Sequence, residues 1–353
     1  MTERIDQLVA GYAKGDAISQ EVRMLRDILH ELGYESDIFV PKGHIAKDAH
    51  EDCHPLDDYD PAAATGSILH YSTGSPVNDA FAATQGRRIV KYHNITPAEF
   101  FDGYDDDVAA ELREARQGLA VAASVADEFW SDSAYNAGEL KPFGVKCSKV
   151  LHLMFRADEF EAGEDPKIRA QFGDNLTNWL FVGRLAPHKC IEELILAYAW
   201  YYHTINARSR LIVVGSEHSC PRYYAMLRLL AERLMLPNVC FTGYMYGGRA
   251  TLYAAADAFV MASRHEGYCL PLVEAMALNT PVIARRAGGM PEAMGNAGVM
   301  FDNLKPAELA MLVHRVCSDT KLHAEVMESQ QRRLEEVRAR DVKQEVAEAL
   351  GLN

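Results

Sequence analysis

Short apolar runs alternate with stretches of helical periodicity along the whole chain. In the front half the apolar runs predict strands at Ile5–Ala10, Ser36–Val40, Ser67–Tyr71, Arg88–Tyr92 and Phe129–Ser131. Apolar residues spaced three or four positions apart predict a helix over Ser19–Leu32. Strands that alternate with helices in this way are typical of parallel sheets covered by helices.

The same alternation is clearer in the back half. Strands are predicted there at Trp179–Val182, Leu211–Val214, Val239–Thr242, Ala258–Ala262, Pro281–Ala284 and Gly298–Phe301. Helices are predicted between them, for example over Ile191–Tyr202 and Tyr223–Leu234. The predicted fold class is therefore α/β, with two doubly wound Rossmann-like domains facing a cleft. Because ligands of such sheets bind outside the carboxyl ends of the strands, we expect the site in that cleft.

The length of the chain predicts two domains, since 353 residues suit two domains of ordinary size. Residues 1–157 form the predicted N-terminal domain and residues 178–328 the second. The segment 158–177 between them is acidic and polar and is predicted to be a linker. The charged segment 329–353 is predicted to be helical and to pack back on the N-terminal domain.

The formal charge of −14 excludes several classes of partner. Residues 1–155 carry 14 Lys and Arg against 26 Asp and Glu, so no basic footprint for a nucleic acid is present in this half. No apolar stretch is long enough for a membrane span, and the first twelve residues do not follow the layout of a signal peptide. A cytoplasmic location is therefore expected.

Cysteine and histidine spacing gives no metal or disulfide pattern. The seven cysteines are scattered and never form a Cys-x-x-Cys pair, which suits reduced thiols. His44, His50, Cys53 and His54 lie close together, but their spacing fits no usual zinc pattern. No Asp-x-Asp follows an apolar strand, so we expect no metal and no cofactor.

One candidate cluster is the segment Ser263–Met276, which follows a predicted strand and enters a helix near Pro271. The start of a helix, with its free N–H groups, suits an anion such as a diphosphate. Glu266 is placed on the loop and Glu274 about one turn into the helix, where two carboxylates can accept hydrogen bonds from ligand hydroxyls. On spacing alone, two ordinary acids, one on a loop and one in a first helical turn, explain the pair better.

A second cluster is the segment Trp179–Lys189. Its apolar strand ends at Gly183, which lets the backbone approach a ligand. Arg184 and Lys189 then offer a guanidinium and an ammonium, a suitable pair for two phosphates. Taken alone, they are also common loop cations.

Together these clusters, with Phe241–Met245, Leu252–Val260, Pro281–Ala284 and Gly288–Glu292, carry a resemblance to a known family. The chain resembles the retaining family-4 glycosyltransferases of GT-B architecture over nearly its whole length. It is most similar to bacterial enzymes that build surface polysaccharides, mannosyltransferases among them. Two positions depart from the family pattern, because Asn279 and Cys269 stand where glycine is usual. Asn tolerates the left-handed conformation, so little consequence is expected at Asn279.

The resemblance implies a metal-independent transfer of a hexose from a nucleotide-sugar. Arg184 and Lys189, beside Gly183, would bind the diphosphate. Glu274 would hold the ribose hydroxyls, and main-chain groups near Tyr244 and Met245 would meet the base. Glu266, with the backbone of Gly267, Tyr268, Cys269 and Leu270, would hold the donor sugar.

The resemblance also implies that the N-terminal domain binds a saccharide or lipid-linked acceptor. The donor is expected to be GDP-mannose, with a UDP-hexose as the second choice. In the front half, the turn at Gly15 and Asp16 would reach the donor phosphate, with Ser19 as the predicted helix cap. His93, at the end of a strand, would touch a sugar hydroxyl or the developing charge.

Three other functions remain to be weighed. A dinucleotide oxidoreductase would share the paired domains, but neither half has Gly-x-Gly-x-x-Gly after its first strand. A sugar-nucleotide epimerase or hydrolase would use the same architecture without an acceptor. A non-catalytic nucleotide-binding subunit is disfavoured because Arg184, Lys189, Glu266 and Glu274 are all present.

Overall fold

The computed structural model describes residues 3–156, 164–245 and 247–352. They fall into two compact units. The first unit comprises Met1–Glu99, Asp107–Met154 and Asp341–Asn353, and the second comprises Phe100–Asp106 and Phe155–Arg340.

The strands and helices alternate along the chain. The strands are β1 (Ile5–Val9), β2 (Ile38–Val40), β3 (His54–Pro55), β4 (Gly66–Tyr71), β5 (Arg87–Tyr92), β6 (Glu128–Ser131), β7 (Lys149–Val150), β8 (Thr177–Val182), β9 (Ser209–Val214), β10 (Val239–Gly243), β11 (Ala258–Met261), β12 (Val282–Arg285) and β13 (Val299–Phe301). The helices are α1 (Ala17–Glu31), α2 (Val77–Ala83), α3 (Asp106–Val125), α4 (Ala134–Glu139), α5 (Pro166–Phe172), α6 (Ile191–Trp200), α7 (Pro221–Arg233), α8 (Arg249–Ala254), α9 (Leu270–Ala277), α10 (Met290–Met294), α11 (Pro306–Ser318), α12 (Thr320–Arg338) and α13 (Val342–Leu350).

The first unit is built on a parallel sheet in the order β3-β2-β1-β4-β5-β6-β7. Both faces of the sheet are covered. On one face Ile68 and Trp130 pack with Leu350 of α13, and on the other Leu69 packs with Leu119 of α3. Covering both faces explains why these strands read as continuous apolar runs.

The second unit is built on a parallel sheet in the order β10-β9-β8-β11-β12-β13. Its central strands are fully buried, as Leu180, Val213 and Val260 show. The predicted α/β class with two doubly wound Rossmann-like domains is therefore confirmed. No helix of the described ranges is both long enough and apolar enough to cross a membrane.

Every strand predicted from the apolar runs is present, with ends that differ from the prediction by at most two residues. The two missed strands, β3 and β7, are two residues long and lie at the edges of the first sheet. Edge strands bury little apolar surface, so their sequence carries little periodic signal.

The helix predicted over Ser19–Leu32 begins earlier, and this changes its cap. Asp16 is the residue that caps α1, because its side chain accepts from the backbone N–H of Ser19 at 3.0 Å. The Ser19 hydroxyl instead accepts the backbone N–H of Ala13 at 3.1 Å. Ser19 was thus the wrong cap, although Asp16 lies in the predicted turn.

The described residues of the segment predicted to be a linker include a helix of the second unit. Residues 157–163 lie outside the described part, while α5 follows with Asp165 as its cap. The predicted C-terminal segment is divided: α12 already begins at Thr320 and groups with the second unit, where Gln330 bonds Thr280 and Val282. The following helix, α13, groups with the first unit and packs on its sheet.

Candidate functional site

The two clusters singled out in the second unit follow neighbouring strands, β8 and β11. The chain proceeds from β8 through β9 to β10 on one side, then returns to place β11 on the other side of β8. The loops after β8 and β11 therefore leave the sheet in opposite directions. Such a switch in strand order opens a crevice at the carboxyl ends of the strands, where doubly wound domains bind ligands.

Gly183 directly follows the strand β8 at this crevice, and it lies beside Gly215, which directly follows β9. A Cβ atom added to Gly215 would lie 2.1 Å from the carbonyl oxygen of Gly183. The two loops therefore approach each other as closely as backbone allows. Glycine at position 215 is required by this contact and was not singled out from the sequence.

Glu266 is held on the loop after β11 by a pair of glycines. The backbone N–H of Gly289 donates to the carbonyl oxygen of Glu266 at 2.8 Å. A Cβ atom at Gly288, where φ is +56°, would lie 2.2 Å from the same oxygen. The Gly288-Gly289 motif thus serves to fix the backbone of Glu266.

An ion pair joins the two loops at the crevice. Lys189 Nζ lies 2.7 Å from Glu266 Oε1, and both side chains are largely buried. Arg184, on the same loop as Lys189, is exposed to solvent. The structure therefore brings Lys189 and Glu266 together and leaves the Arg184 guanidinium accessible to an anion.

The helix α9 begins directly after this loop, and its start requires an unusual backbone. Cys269 precedes the helix with φ at +81°, and Pro271 occupies the first turn. A left-handed residue at this place explains why glycine is usual there. Burial, chiefly, raises the pKa of the Cys269 thiol well above its ordinary value, so the group is an uncharged thiol. Asn279, beyond the helix, also has positive φ, at +56°, as expected for that departure.

The residues flanking Cys269 have different surroundings. Gly267 is half-buried, and Leu270 is buried at the start of α9. Tyr268 is also buried, and burial raises the pKa of its hydroxyl against the opposing charges of Arg333 and Arg340. The ring of Tyr268 is therefore part of the packing near α12, and only its backbone remains for a ligand.

Glu274, in the middle of α9, is buried and held by two other side chains. The hydroxyl of Tyr253 on α8 donates to Glu274 Oε2 at 2.8 Å. Arg249, at the start of α8, lies 3.6 Å from Oε1. Burial and the Glu274 charge raise the pKa of Tyr253 well above its ordinary value, so the phenol stays a donor. The sequence analysis missed both partners because they lie more than twenty residues away.

The residues proposed for the base follow the strand β10. Gly243 ends the strand with φ at +75°. Tyr244 is 59% exposed and Met245 is half-buried. Tyr244 thus presents an exposed aromatic ring just after the end of the strand.

The loop after β8, which carries Arg184 and Lys189, also contains a buried histidine. His188 precedes Lys189 and lies near the rings of Phe100 and Phe101, with centroids 6.2 and 6.1 Å away. Burial, followed by the positive charges of Lys189, Arg184 and His265, lowers the pKa of His188 well below its ordinary value. Burial and the cationic side chains nearby thus disfavour a positive charge on His188.

The same loop leads into a cluster that could suggest a metal site. Ligand atoms of Cys190, Glu192 and Glu193 lie within 4.8 Å of one another. Both carboxylates are already engaged, since Glu192 accepts from Tyr223 and Glu193 bridges Arg264 and Arg285. These contacts indicate that Cys190, Glu192 and Glu193 belong to the packing of the fold and do not form a metal site.

The remaining predicted residues lie in the first unit. Gly15, with φ at +84°, and Asp16 form the turn between β1 and α1. The Asp16 carboxylate is used to cap the helix. His93 follows β5 and is buried, with both ring nitrogens in hydrogen bonds: Nδ1 to Asp132 at 2.9 Å and Nε2 to His70 at 2.8 Å.

Part of the chain is similar in sequence to known proteins. Residues 165–333 match the family described as glycosyl transferases group 1. A GDP-mannose-dependent alpha-mannosyltransferase of Mycobacterium tuberculosis is 33% identical over 142 residues, covering 38% of this chain and 34% of that protein. A D-inositol 3-phosphate glycosyltransferase of Segniliparus rotundus is 32% identical over 236 residues, covering 62% and 50%. These alignments span about a third to a half of the relatives' lengths.

Solved structures match the fold over nearly the whole chain. HepE of Anabaena, solved in complex with UDP and glucose, superposes with a TM-score of 0.71 at 20% identity, covering 99% of each chain. Structural neighbours of this kind are glycosyltransferases of GT-B architecture, with two Rossmann-like domains. The predicted GT-B fold is confirmed.

Proposed function

We propose that this chain is a retaining hexosyltransferase, because its residues 165–333 match the family described as glycosyl transferases group 1. The donor is a nucleoside-diphosphate sugar, with GDP-mannose first and a UDP-hexose second. The acceptor is a saccharide or a lipid-linked saccharide in glycan or surface-polysaccharide synthesis. The relatives named as GDP-mannose-dependent mannosyltransferases support the first donor, and HepE with UDP supports the second.

The ion pair between Lys189 and Glu266 carries the proposal. It joins the loops after β8 and β11, at the point where a doubly wound sheet binds its ligand. A diphosphate offers Lys189 a second anionic partner, and Glu266 can then accept from a sugar hydroxyl. The exposed Arg184 supplies a guanidinium to the same diphosphate.

The other donor contacts follow from the surrounding elements. The backbone from Gly267 to Leu270 leads to the start of α9, whose dipole favours the diphosphate. Glu274, oriented by Tyr253, accepts from the ribose hydroxyls. Gly183 allows close approach of the backbone, and main-chain groups at Tyr244 and Met245 meet the base. Gly15 and Asp16 of the first unit are proposed to complete the phosphate contacts.

The chemical step separates charge. The bond between the anomeric carbon and the diphosphate oxygen breaks, leaving positive charge on the sugar and negative charge on the diphosphate. Lys189, Arg184 and the start of α9 are preorganised to stabilise the negative charge. The acceptor hydroxyl attacks from the same face, so the anomeric configuration is kept, and its proton passes to a departing phosphate oxygen. This step needs neither a metal nor a cofactor.

The test is a panel of nucleotide-sugars offered with saccharide and lipid-linked acceptors, with product detected by mass spectrometry in the presence of a chelator. We expect a hexosyl product from GDP-mannose or a UDP-hexose. The NMR spectrum of this product should show that it keeps the α configuration of the donor. Release of free sugar without transfer to any acceptor would favour the hydrolase, and an isomerised donor the epimerase. No turnover together with a nucleotide-induced rise in melting temperature would favour the non-catalytic subunit.

A further inference from the structure

A row of four hydrogen-bonded, buried polar side chains, His93 among them, crosses the first sheet. Gln7 on β1, His70 on β4, His93 after β5 and Asp132 after β6 are linked in that order. The links measure 2.9 Å from Gln7 Oε1 to His70 Nε2, 2.8 Å from His70 Nδ1 to His93 Nε2, and 2.9 Å from His93 Nδ1 to Asp132 Oδ2. All four residues are at most 8% exposed, so water does not replace these bonds.

The amide of Gln7 determines which nitrogen of His70 carries the proton. Gln7 Nε2 donates to the carbonyl oxygen of Val22 at 3.0 Å, which places Oε1 toward His70. An amide oxygen can only accept, so His70 Nε2 must be an N–H. Burial, followed by the charges of His93 and Lys91, lowers the pKa of His70 well below its ordinary value, and the ring is neutral. His70 Nδ1 is therefore an acceptor, and His93 Nε2 must donate to it.

The other nitrogen of His93 faces a carboxylate. Lys91 Nζ lies 2.8 Å from Asp132 Oδ1. This ammonium is in direct contact with the Asp132 carboxyl and favours its ionised form, although burial opposes ionisation. An ionised carboxylate has no proton to give, so His93 Nδ1 must also be an N–H.

We propose that His93 is a buried imidazolium, locked by Asp132 on one side and by the His70–Gln7 pair on the other, and that it serves the proposed transfer as a charged positioning residue instead of a proton donor or acceptor. Gln7 and His70 are then positioning residues for His93. This assignment rests on the proposed function only for its role in transfer, since the protonation state belongs to the folded chain.

The charged ring of His93 links the strands β4, β5 and β6 by hydrogen bonds at the carboxyl end of the first sheet. It donates toward β4 and toward the end of β6, while its own backbone N–H donates to the Tyr71 carbonyl oxygen at 2.9 Å. The next residue, Asn94, has a positive φ of +83°, so the backbone turns sharply directly after His93. The side chain of His93 is 1% exposed, which leaves main-chain groups at this turn to face a ligand.

Among the described residues, few other titratable groups lie near His93, Asp132 and Lys91. Glu21 of α1 lies 3.7 Å from Lys91 and accepts the backbone N–H of Met154 at 2.8 Å. His152 contacts the Asp132 carbonyl oxygen at 2.9 Å. Lys91 and His93 thus face the carboxyl groups of Asp132 and Glu21, and burial, chiefly, raises the pKa of the Glu21 carboxyl above its ordinary value.

The test is the ¹⁵N NMR spectrum of histidine side chains in the full chain at pH 7.5, without substrate. We expect two protonated ring nitrogens at His93, and one protonated and one bare nitrogen at His70. The signals are assigned by their loss in His93→Gln and His70→Asn. A bare nitrogen at His93 in the wild-type chain would overturn the proposal, whatever the variants do.

Variants then test the role of Gln7. Gln7→Leu removes the acceptor for His70. It should therefore convert His93 partly or wholly to the neutral form. Gln85→Leu, an exposed residue of the same unit, is the matched control and should change nothing. An unchanged doubly protonated His93 in a folded Gln7→Leu chain would refute the locking role.

Transfer assays test the consequence for the reaction. For Gln7→Leu we expect kcat to fall roughly 10-fold with the donor KM within about twofold. Wild-type kcat in a folded Gln7→Leu variant that has lost the imidazolium would refute the positioning role. A chain without any transferase activity would count against the proposed function, while the spectrum would still decide the protonation state.

Discussion

The ammonium of Lys189 lies 2.7 Å from the Glu266 carboxylate, although 77 residues separate them in the chain. Each residue follows one of two adjacent central strands, so the sheet topology brings them together. In the proposed reaction the donor diphosphate competes with Glu266 for Lys189.

Lys189→Ala should therefore lower kcat/KM of transfer roughly 100-fold or more, because one preorganised charge on the leaving group is lost. Steady-state kinetics with the best donor measures this, and a melting curve shows that the fold is kept. Lys321→Ala, at a solvent-exposed lysine of α12, is the matched control and should be indistinguishable from wild type. Comparable rates for both alanine variants would remove Lys189 from the site.

Tyr253→Phe should weaken donor binding while leaving the chemical step intact. The Tyr253 hydroxyl donates to Glu274, and a hydrogen bond to a charged group contributes about 1.5–3 kcal/mol. We expect the donor KM to rise roughly 10-fold, with kcat within about twofold. Tyr198→Phe is the matched control, since Tyr198 is equally buried but its hydroxyl lies 3.4 Å from Ser209 Oγ. A raised KM in the control alone would contradict the assignment.

Gly288→Ala should destabilise the Glu266 loop. The added methyl would lie 2.2 Å from the Glu266 carbonyl oxygen, at a backbone φ of +56° that disfavours side chains. We expect a loss of about 2 kcal/mol or more in the free energy of unfolding, together with lost activity. Gly247→Ala, where a Cβ atom meets nothing within 4 Å, should change neither. Denaturant unfolding of the two variants decides the matter.

Acid should destabilise the second unit through His188. The pKa of His188 is lowered in the folded chain, so below its ordinary value of 6.5 the unfolded chain binds a proton that the folded chain does not. Stability therefore falls as pH decreases from 6.5, by up to about 1.4 kcal/mol per pH unit, and is unaffected by this group above that range.

The measurement is denaturant unfolding of wild type and His188→Gln between pH 5 and 8. The variant should lose less stability on acidification than wild type. His218→Gln is the matched control, because its side chain is 88% exposed, and it should follow the wild-type curve. Parallel curves for wild type and His188→Gln would refute the prediction.

Met235→Gly should stabilise the chain. Met235 follows the end of α7 with φ at +53°, and its side chain is 74% exposed, so little packing is lost. Glycine adopts this conformation without steric cost, and we expect a gain of about 1 kcal/mol. Met311→Gly, at an exposed position inside α11, should instead cost about 1 kcal/mol. A loss of stability in both variants would contradict the prediction.

Sequence reasoning succeeded where the signal is local. The strand that ends at Gly183 and the helix that begins near Pro271 are visible because burial on both faces leaves long apolar runs between turn residues. The cap of α1 was assigned to Ser19 instead of Asp16 because both are good caps and lie three residues apart. The choice between them depends on where the first helical turn begins.

Partners distant in the chain could not be predicted. Lys91 lies in an apolar strand, and Asp132 follows β6 as His93 follows β5, but nothing local states that they meet. The same holds for Tyr253 with Glu274. The order of strands in each sheet decides these contacts, and a parallel sheet can be threaded in several orders by one pattern of apolar runs.

The sequence by itself determined the class of the fold, the ends of most strands and the acids and cations of the donor loops, because apolar periodicity and turn chemistry are local properties. Only the tertiary structure decided which of these groups share a proton or a charge. Hydrogen-bond partners across a sheet depend on strand order and register, and through Gln7, His70 and Asp132 they also determine the protonation of His93. That information is carried by the packed chain as a whole.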